Sequence, residues 1–367
     1  FDAKTCIDAK CTLLNEYAKR SGVRACVVGV SGGIDSAVTL ALVSAAAKRA
    51  GSPIERVVAA LLPLTVDAGA TNQATALRRG RAVANAFGAT VLEADLGDAH
   101  RALRTSVEHA LDVRGDAWAA GQLVSTVRTP ALYYATSLLA QTGVCAVVVG
   151  TTNRDEGAFL GFFGKASDGM VDVQLVSDLH KSEIRAIACI VGVPDDVIEA
   201  TPTGDTFDGK TDEEMIGAPY DFVELHALTA SLQRVERQRI ESSWSVDAHA
   251  QFDAWSASLF ERHRANAHKY IGASPAVHLD VYERALPGGW RDEPLGFATP
   301  IDEHKLVALF DLDPPARTSL ARSASPKIVR AEPCLVVDDV LDARECAKLY
   351  EQLKRARKVP VGVDGKR

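Results

Sequence analysis

Short apolar runs alternate with longer amphipathic stretches through the first 150 residues. The runs are rich in β-branched residues and too short for helices, so they predict buried strands; the stretches between them have helical spacing. The predicted strands are residues 24–30, 57–62, 90–94 and 145–150. The predicted helices are residues 2–20, 37–48, 71–87, 98–112 and 117–141. This alternation predicts an α/β fold, a parallel sheet flanked by helices, with ligands at the carboxyl ends of the strands.

The pattern changes after Gly150. Residues 151–180 are rich in Gly, Asp and aromatic side chains and predict a structured loop region. Helices are predicted again further on, at residues 181–191, 219–239 and 247–268. Loop-like or irregular stretches are predicted at 201–218 and 272–330, and a strand, a turn and a helix at 331–350.

Composition narrows the class of protein. The 367 residues are 47% hydrophobic and 24% charged, which excludes disorder of the whole chain. No run approaches about 18 consecutive apolar residues, so no membrane span is expected. A net charge of −7 argues against nucleic-acid binding through global charge. Residues 316–367 depart from this balance, with 12 Lys and Arg against 7 Asp and Glu.

The seven cysteines are scattered along the chain, and no CxxC pair suggests a zinc site. This spacing does not indicate a disulfide framework. Free thiols in a reducing compartment are therefore expected, and we expect a cytoplasmic protein.

The string GVSGGIDS, residues 29–36, is the sharpest local feature and directly follows the first predicted strand. Adjacent glycines let the backbone approach an anion closely, and the N-terminus of the following helix favours negative charge. Ser31 and Ser36 add hydroxyl donors. Asp35 is a poor neighbour for phosphates unless Mg²⁺ lies between them. The string is neither a Walker A loop nor GxGxxG, and a plain strand-to-helix turn is the alternative.

A second group of polar residues follows the fourth predicted strand. Glu156 and Asp35 come after different parallel strands, which makes them a suitable pair to hold Mg²⁺. Lys165 and Lys181 can neutralise phosphates. Each of these charges has a plainer interpretation as a solvated surface group, and Thr203 could be only a helix cap.

The loop string resembles that of the PP-loop ATP pyrophosphatases, which have an adenine nucleotide alpha-hydrolase-like fold and cleave ATP to AMP and pyrophosphate. The order of later strings selects one member family. These strings are VGTTNRDE (149–156), GFFGK (161–165), SDGMVD (167–172), LHK (179–181), TPTGD (201–205), TDEE (211–214), IGAPY (216–220) and AHK (267–269). Together they resemble the NAD synthetases, over residues 1 to about 275.

The resemblance implies ATP-dependent amidation of deamido-NAD to NAD, with catalytic roles for Asp35, Glu156 and Lys165. The implied ATP contacts are Gly29, Ser31, Gly32, Gly33, Asp35, Ser36, Thr151, Lys181 and Thr203. The implied contacts to deamido-NAD are Arg128, Lys165, Asp172, His268 and Lys269. Mg²⁺ would be held by Asp35 and Glu156, and a homodimer is implied because the substrate site of the family lies across a dimer interface.

Three features depart from the family pattern. Many relatives have two arginines before the fourth strand, and here Thr126 replaces the first while Arg128 keeps the second. The spacing from Glu156 to Lys165 is one residue longer than the common pattern. GFFGKASDG replaces the common GFFTKYGDG, which could alter the loop over the active site.

The expected nitrogen donor is free ammonia. About 30 residues precede the phosphate loop in this sequence, too few for the glutaminase domain that some NAD synthetases carry. Cys6 and Cys11 lie in a predicted helix and are not convincing nucleophiles.

The predicted organisation is an enzymatic domain at 1–275, an irregular extension or linker at 276–330 and a basic tail at 331–367. The tail faintly resembles the first strand and helix of 2-oxoglutarate-dependent iron oxygenases, yet no His follows His304 to bind iron. Two rival functions stay open. One is another PP-loop ligase with a different acceptor, and the other is a silent nucleotide-binding module fused to an oxygenase.

Overall fold

The computed structural model describes most of the chain. The described residues are 1–64, 73–204, 210–232, 234–266, 269, 276–282, 328–331 and 334–337. The chain divides into two compact units, Phe1–Asp302 and Glu303–Arg367. Among the described residues no helix is both long and apolar enough to cross a bilayer.

Six parallel strands form one sheet in the first unit. In chain order the strands are β1 (Ala25–Gly29), β2 (Arg56–Leu61), β3 (Thr90–Glu93), β4 (Ala146–Gly150), β5 (Val173–Gln174) and β6 (Val277–His278). Their spatial order is β3-β2-β1-β4-β5-β6. The order reverses between β1 and β4, so the carboxyl ends of these two strands form the crevice where open α/β sheets bind ligands.

Twelve α-helices and one π-helix (Asp155–Leu160) lie within the described residues. The α-helices are α1 (Ala3–Ser21), α2 (Ile34–Ala47), α3 (Gln73–Phe87), α4 (Gly97–Leu111), α5 (Ala117–Thr126), α6 (Arg128–Gln141), α7 (Lys181–Val191), α8 (Asp195–Ile198), α9 (Asp212–Ile216), α10 (Tyr220–Ser231), α11 (Arg234–Glu241) and α12 (Val246–Ala265).

The sheet is covered by helices because its strands are apolar on both faces. Leu132 and Leu139 of α6 pack against Val27 and Val58 of the sheet. The helix α2 contacts β1, β2 and β4, and it also packs on α1 and α7. Four of the five residues of β1 are buried, as expected for a central strand. This packing fixes the first residues of α2 directly beyond the carboxyl end of β1.

The predicted parallel α/β fold is confirmed, with several local differences. The stretch predicted as loop-like at 201–218 contains the short helix α9, and the single helix predicted at 219–239 is two helices, α10 and α11. The single helix predicted over 117–141 is two helices, α5 and α6, that meet at Val127. Pro130 explains the break, because its ring would clash with the carbonyl of Thr126 and it has no N–H to donate. The loop region predicted at 151–180 contains the π-helix and the two-residue strand β5, which is too short to leave a pattern.

A buried ion pair joins the N-terminal helix to the edge of the sheet. Lys10 of α1 pairs with Asp178, and both side chains are at most 1% exposed. The Lys10 ammonium also donates to the carbonyl of Leu279 at 2.7 Å, and Asp178 accepts from the backbone N–H groups of Val281 and Tyr282. These contacts hold residues 276–282 in the first unit.

The strand β6 lies within the stretch predicted as an irregular linker from residue 276. The division of the chain at residue 275 stays a prediction. In the second unit, β7 (Ile328–Ala331) and β8 (Cys334–Val337) pair as an antiparallel hairpin. The helix predicted toward residue 350 and the rest of the basic tail lie outside the described residues.

Candidate active site

The phosphate loop leaves β1 and turns into α2. Gly32 has φ +84°, in the left-handed region that favours glycine. A Cβ at this position would lie 2.4 Å from the carbonyl oxygen of Ala76 in α3. Both the backbone conformation and the close approach of α3 therefore require glycine at residue 32.

Two serine side chains hold the loop in shape. The Ser36 hydroxyl donates to the carbonyl of Gly33 at 2.9 Å and accepts from the backbone N–H of Ser31 at 3.2 Å. Ser31 Oγ in turn accepts from the N–H of Gly33. The side chain of Ser36 is buried, so it supports the loop from behind. Gly33 caps α2 without a side-chain hydrogen bond, which leaves N–H groups of the first turn to bind an anion.

Asp35 and Glu156, predicted as a pair, meet at a shared lysine. The Lys181 ammonium lies 2.6 Å from Asp35 Oδ2 and 3.1 Å from Glu156 Oε1. Asp35 is in the first turn of α2, Glu156 is in the π-helix after β4, and Lys181 begins α7. The cluster therefore gathers three elements at the carboxyl side of the sheet.

Burial and charge set the protonation of this cluster. Burial raises the pKa of Glu156 to about 7, and the Lys181 ammonium opposes that rise. For Lys181, burial alone would lower the pKa, but the carboxylates of Asp35 and Glu156 raise it. Lys181 is therefore a permanent cation beside two carboxylates in a site with little water.

Three further residues, which the sequence analysis did not assign to the site, complete its polar network. The Tyr220 hydroxyl donates to Glu156 Oε1 at 2.7 Å, and its ring lies 4.7 Å from the Lys181 ammonium. Asp212 lies beside the same hydroxyl, and burial raises its pKa. Asn153 is fully buried next to Asp35. All three residues occur in strings quoted for the resemblance, at 149–156, 211–214 and 216–220, which is the signal that could have found them.

The donor set fits a magnesium ion. Asp35 and Glu156 are 16–18% exposed, and a cation already bridges them. Carboxylate oxygens are the ligands that Mg²⁺ prefers, and it commonly binds through one or two of them together with substrate phosphates. Asp35 lies within the phosphate loop, residues 29–36, so such a combination of ligands is available here.

A cavity of about 190 Å³ opens beside the loop at the carboxyl ends of β1, β2 and β4. Its apolar wall includes Leu61, Leu62, Leu77 and Leu132. Its polar lining includes four residues assigned by resemblance: Gly29, Ser31, Thr151 and Arg128. The cavity is therefore lined by aliphatic side chains and by polar backbone groups at the strand ends. Such a lining can bind a flat, partly polar ring system.

Two of the residues assigned to deamido-NAD, Arg128 and Asp172, make hydrogen bonds to other parts of the chain. Arg128 Nε donates to the carbonyl of Leu62 at 3.2 Å. Asp172 accepts from the backbone N–H of Val148 at 2.7 Å and from the Tyr133 hydroxyl at 3.3 Å. Both side chains therefore have structural contacts, and their substrate roles stay predictions.

The remaining assigned residues lie around the loop that follows the π-helix. The Lys269 ammonium donates to the carbonyls of Gly161 and Phe163, and burial lowers its pKa. Lys165 is exposed in this loop, and Thr203 is exposed near the end of the described range 73–204. His268 lies outside the described residues.

Asp155, His180 and Glu224 form a second group whose polar atoms lie within 4.8 Å of one another. Asp155 accepts from the backbone N–H of Lys181 at 2.8 Å and contacts His180 Nδ1 at 2.6 Å. Both carboxylate oxygens of Glu224 accept hydrogen bonds from Ser182. These contacts anchor the start of α7 and so place Lys181.

Comparison with known proteins now decides the family. Residues 6–270 match the sequence profile of the NAD synthase family. The chain belongs to this family. The match contains the phosphate loop, the Asp35–Glu156–Lys181 cluster and Lys269, so the resemblance drawn from the strings is confirmed.

Among relatives, an NH(3)-dependent NAD(+) synthetase of Methanococcoides burtonii is 30% identical over 271 residues, covering 74% of this chain and 92% of that protein. One of Thermoplasma volcanium is 33% identical over 204 residues, covering 55% of this chain and 74% of that protein.

Two solved structures share the fold. The NMN synthetase of Francisella tularensis aligns with a TM-score of 0.57 and 21% identity, covering 73% of this chain and 96% of that one. The NH3-dependent NAD synthetase of Campylobacter jejuni aligns with a TM-score of 0.54 and 22% identity, covering 73% and 96%.

Proposed function

We propose that this chain is a ligase that converts deamido-NAD to NAD, using ammonia and ATP. In the first step the nicotinate carboxylate attacks the α-phosphate of ATP and releases pyrophosphate. In the second step ammonia attacks the adenylated carboxyl group and releases AMP. The activation is needed because a carboxylate by itself is a poor acceptor for an amine.

One observation carries the proposal: Asp35, Glu156 and Lys181 converge beside a glycine loop in a chain of the NAD synthase family. An anion that attacks a phosphate meets repulsion, so the site must supply positive charge and fixed orientation. The loop N–H groups and Lys181 supply these features. A purely nucleotide-binding module would have no need of both carboxylates.

We place ATP between the cavity and the loop. The adenosine would occupy the cavity of about 190 Å³, with Thr151 at its polar side. The phosphates would lie over Ser31, Gly32 and Gly33, where the N-terminus of α2 favours anions. Lys181 would then move from Asp35 and Glu156 toward the phosphate charge, and Thr203 would contact ATP from the neighbouring loop.

Asp35 and Glu156 would hold Mg²⁺, which supplies Lewis-acid stabilisation of phosphate charge when it is bound. The two side chains orient their oxygens toward one shared point, as their common contact with Lys181 supports. Lys181 remains protonated throughout, since its carboxylate neighbours raise its pKa.

Deamido-NAD would bind on the side of Lys165, Asp172 and Lys269, with His268 and Arg128 as further contacts. Lys269 fixes the loop at Gly161 and Phe163 and thereby holds Lys165 at its exposed position. Thr126, which replaces an arginine of many relatives, donates its hydroxyl to the carbonyl of Gln122 within α5. We expect the acceptor to be recognised with less help from this position than in those relatives.

The deciding assay combines purified chain, ATP, Mg²⁺, ammonium and deamido-NAD, and follows NAD and AMP together. Equal amounts of NAD and AMP are the expected result. ATP binding without AMP release would favour the silent module, and AMP release only with another acceptor, such as the mononucleotide, would favour the rival ligase. Replacing ammonium by ammonia-free glutamine should abolish NAD formation; equal turnover with glutamine contradicts the assigned donor.

We further propose a homodimer. The helix α4 exposes Leu103, Val107 and Leu111, spaced four residues apart, and α6 exposes Tyr134 and Leu138 in the same way. Such stripes of exposed apolar side chains are typical of surfaces covered by a partner. A second copy of the chain is the occupant we expect. Light scattering after gel filtration should give twice the 39.1 kDa of the chain, and a Val107→Asp variant should give one copy.

We also expect the reaction to take place in the cytoplasm. Five cysteines are free among the residues whose side chains the structure describes, which fits a reducing compartment. Burial raises the pKa of the thiols of Cys6 and Cys26, to about 11 and about 12, so these two are unreactive at neutral pH.

A further inference from the structure

Asn153 is fully buried and contacts both residues proposed to hold Mg²⁺, Asp35 through its carboxylate and Glu156 through its backbone. Its amide nitrogen donates to Asp35 Oδ1 at 2.9 Å, and its amide oxygen accepts from the backbone N–H of Glu156 at 3.0 Å. The orientation of the amide is settled chemically, because a carboxylate can only accept and a backbone N–H can only donate. One side chain therefore ties the phosphate loop to the π-helix across 118 residues of sequence.

Tyr220 contacts the side chain of Glu156. Its hydroxyl and the Lys181 ammonium both bind Oε1, at 2.7 Å and 3.1 Å. Among the described residues, Oε2 of Glu156 accepts no hydrogen bond. The carboxylate is thus held by one oxygen while the other is left to a ligand. The χ3 torsion of a glutamate side chain is broad when nothing restrains it. Contacts to one oxygen restrain this torsion and so fix where the other oxygen lies.

We propose that Asn153 and Tyr220 are positioning residues that set the separation and orientation of Asp35 and Glu156 for a divalent cation. This proposal rests on the proposed function, because it assigns partners to the metal ligands of that site. The physical reason is that Asp35 and Glu156 follow different strands, so packing of the sheet alone does not fix the distance between their oxygens. Partners of this kind typically change metal affinity by about 10- to 100-fold when they are removed.

The test measures binding of Mn²⁺ itself, by electron paramagnetic resonance on the full chain without nucleotide. Mn²⁺ serves as the probe because it accepts the same oxygen ligands as Mg²⁺. Asn153→Ala should bind Mn²⁺ about 10- to 100-fold more weakly than the unchanged chain. Tyr220→Phe keeps the ring near Lys181 but loses the hydroxyl, and should bind at least about threefold more weakly.

The matched control is Asn15→Ala. Asn15 also bridges at both ends of its amide, donating to the carbonyl of Ala46 at 3.0 Å and accepting from Ser52 Oγ at 2.8 Å. It lies on α1, away from the carboxylates, so its loss should lower the melting temperature without changing Mn²⁺ affinity. A merely structural role for Asn153 would make Asn153→Ala behave in the same way.

Steady-state kinetics supply a second readout. The Mg²⁺ concentration for half-maximal rate should rise in Asn153→Ala by the same factor as the Mn²⁺ constant, while KM for deamido-NAD stays within twofold. Unchanged Mn²⁺ affinity in a folded Asn153→Ala overturns the proposal, and so does a chain that binds no Mn²⁺. If Asn153→Ala does not fold, Tyr220→Phe decides by the threefold criterion. The proposed function is tested separately, by whether the unchanged chain forms NAD.

Discussion

Replacing Lys181 with methionine tests the charge balance at the centre of the site. The substitution keeps most of the volume but removes two charge-assisted hydrogen bonds, at 2.6 Å to Asp35 and 3.1 Å to Glu156. Each such bond contributes about 1.5–3 kcal/mol. Both carboxylates are 16–18% exposed, and Glu156 can take up a proton because its pKa is already about 7. We therefore expect each bond to contribute at the lower end of this range, so that the free energy of unfolding falls by about 3 kcal/mol in total.

The unfolding entropy is about 2.1 cal/mol/K per residue, so for the first unit, Phe1–Asp302, that loss corresponds to a melting temperature lower by about 5 °C. The rate of NAD formation should fall by about 10²–10³, as when one oriented charge-stabilising donor is removed from an active site. Thermal unfolding and the NAD assay measure the two effects. Lys19→Met, which changes an exposed lysine of α1, is the matched control and should alter neither.

Added Mg²⁺ distinguishes charge balance from packing. A divalent cation neutralises the same carboxylates, so it should restore part of the lost stability in Lys181→Met and stabilise the unchanged chain less. The double variant Lys181→Met, Asp35→Asn should lose less free energy of unfolding than the two single variants lose together, by about 0.5–3 kcal/mol. A melting temperature within 2 °C of the unchanged chain, or strict additivity, would refute the reasoning.

Three more changes probe other parts of the molecule. Gly32→Ala should lower the free energy of unfolding by about 2 kcal/mol or more and weaken ATP binding, because the alanine must adopt φ +84° and its Cβ would clash with Ala76. Differential scanning fluorimetry with and without ATP measures both effects. Lys10→Met should destabilise by about 3–5 kcal/mol in urea, because it leaves Asp178 buried without its cation. Asp280→Asn should stabilise at pH 8, by about 1–4 kcal/mol, and have little effect at pH 4.

The sign for Asp280 follows from linkage. Burial, and next the charge of Asp178, raises the pKa of Asp280 from 3.8 to about 7. The folded chain therefore keeps a proton that the unfolded chain loses above about pH 4, so stability falls as pH rises from about 4 to about 7. Asparagine mimics the protonated form and still accepts from Ser177. An equal effect at pH 4 and pH 8 would contradict this assignment.

The controls for the other two changes are local. Gly51→Ala also places alanine at a positive φ, +76°, but with no atom within 4 Å of the new Cβ. It should cost only the conformational penalty and leave ATP binding unchanged; equal losses of ATP binding in both variants would argue against the close contact. The control for Lys10→Met is the double variant Lys10→Met, Asp178→Leu. We expect the double variant to lose less stability than Lys10→Met alone, because no buried charge then remains unpaired.

Much of the fold follows from local patterns in the sequence. Apolar, β-branched runs predict β1 to β4, because a strand buried on both faces needs apolar residues throughout. Gly22, with φ +73°, ends α1 where the sequence predicts an end. The two-residue strands β5 and β6 carry no such pattern, since their pairing depends on the neighbouring strands and on the Lys10–Asp178 contact.

The sequence by itself determined the phosphate loop, the pair of carboxylates and the family, because these depend on residue types in a fixed local order. Tertiary structure decided which groups meet. It placed Lys181 between Asp35 and Glu156, turned Lys269 toward backbone carbonyls, and buried Asn153 where it joins two elements. Residues 118 apart become neighbours only when strands order themselves in the sheet, and no local pattern encodes that order.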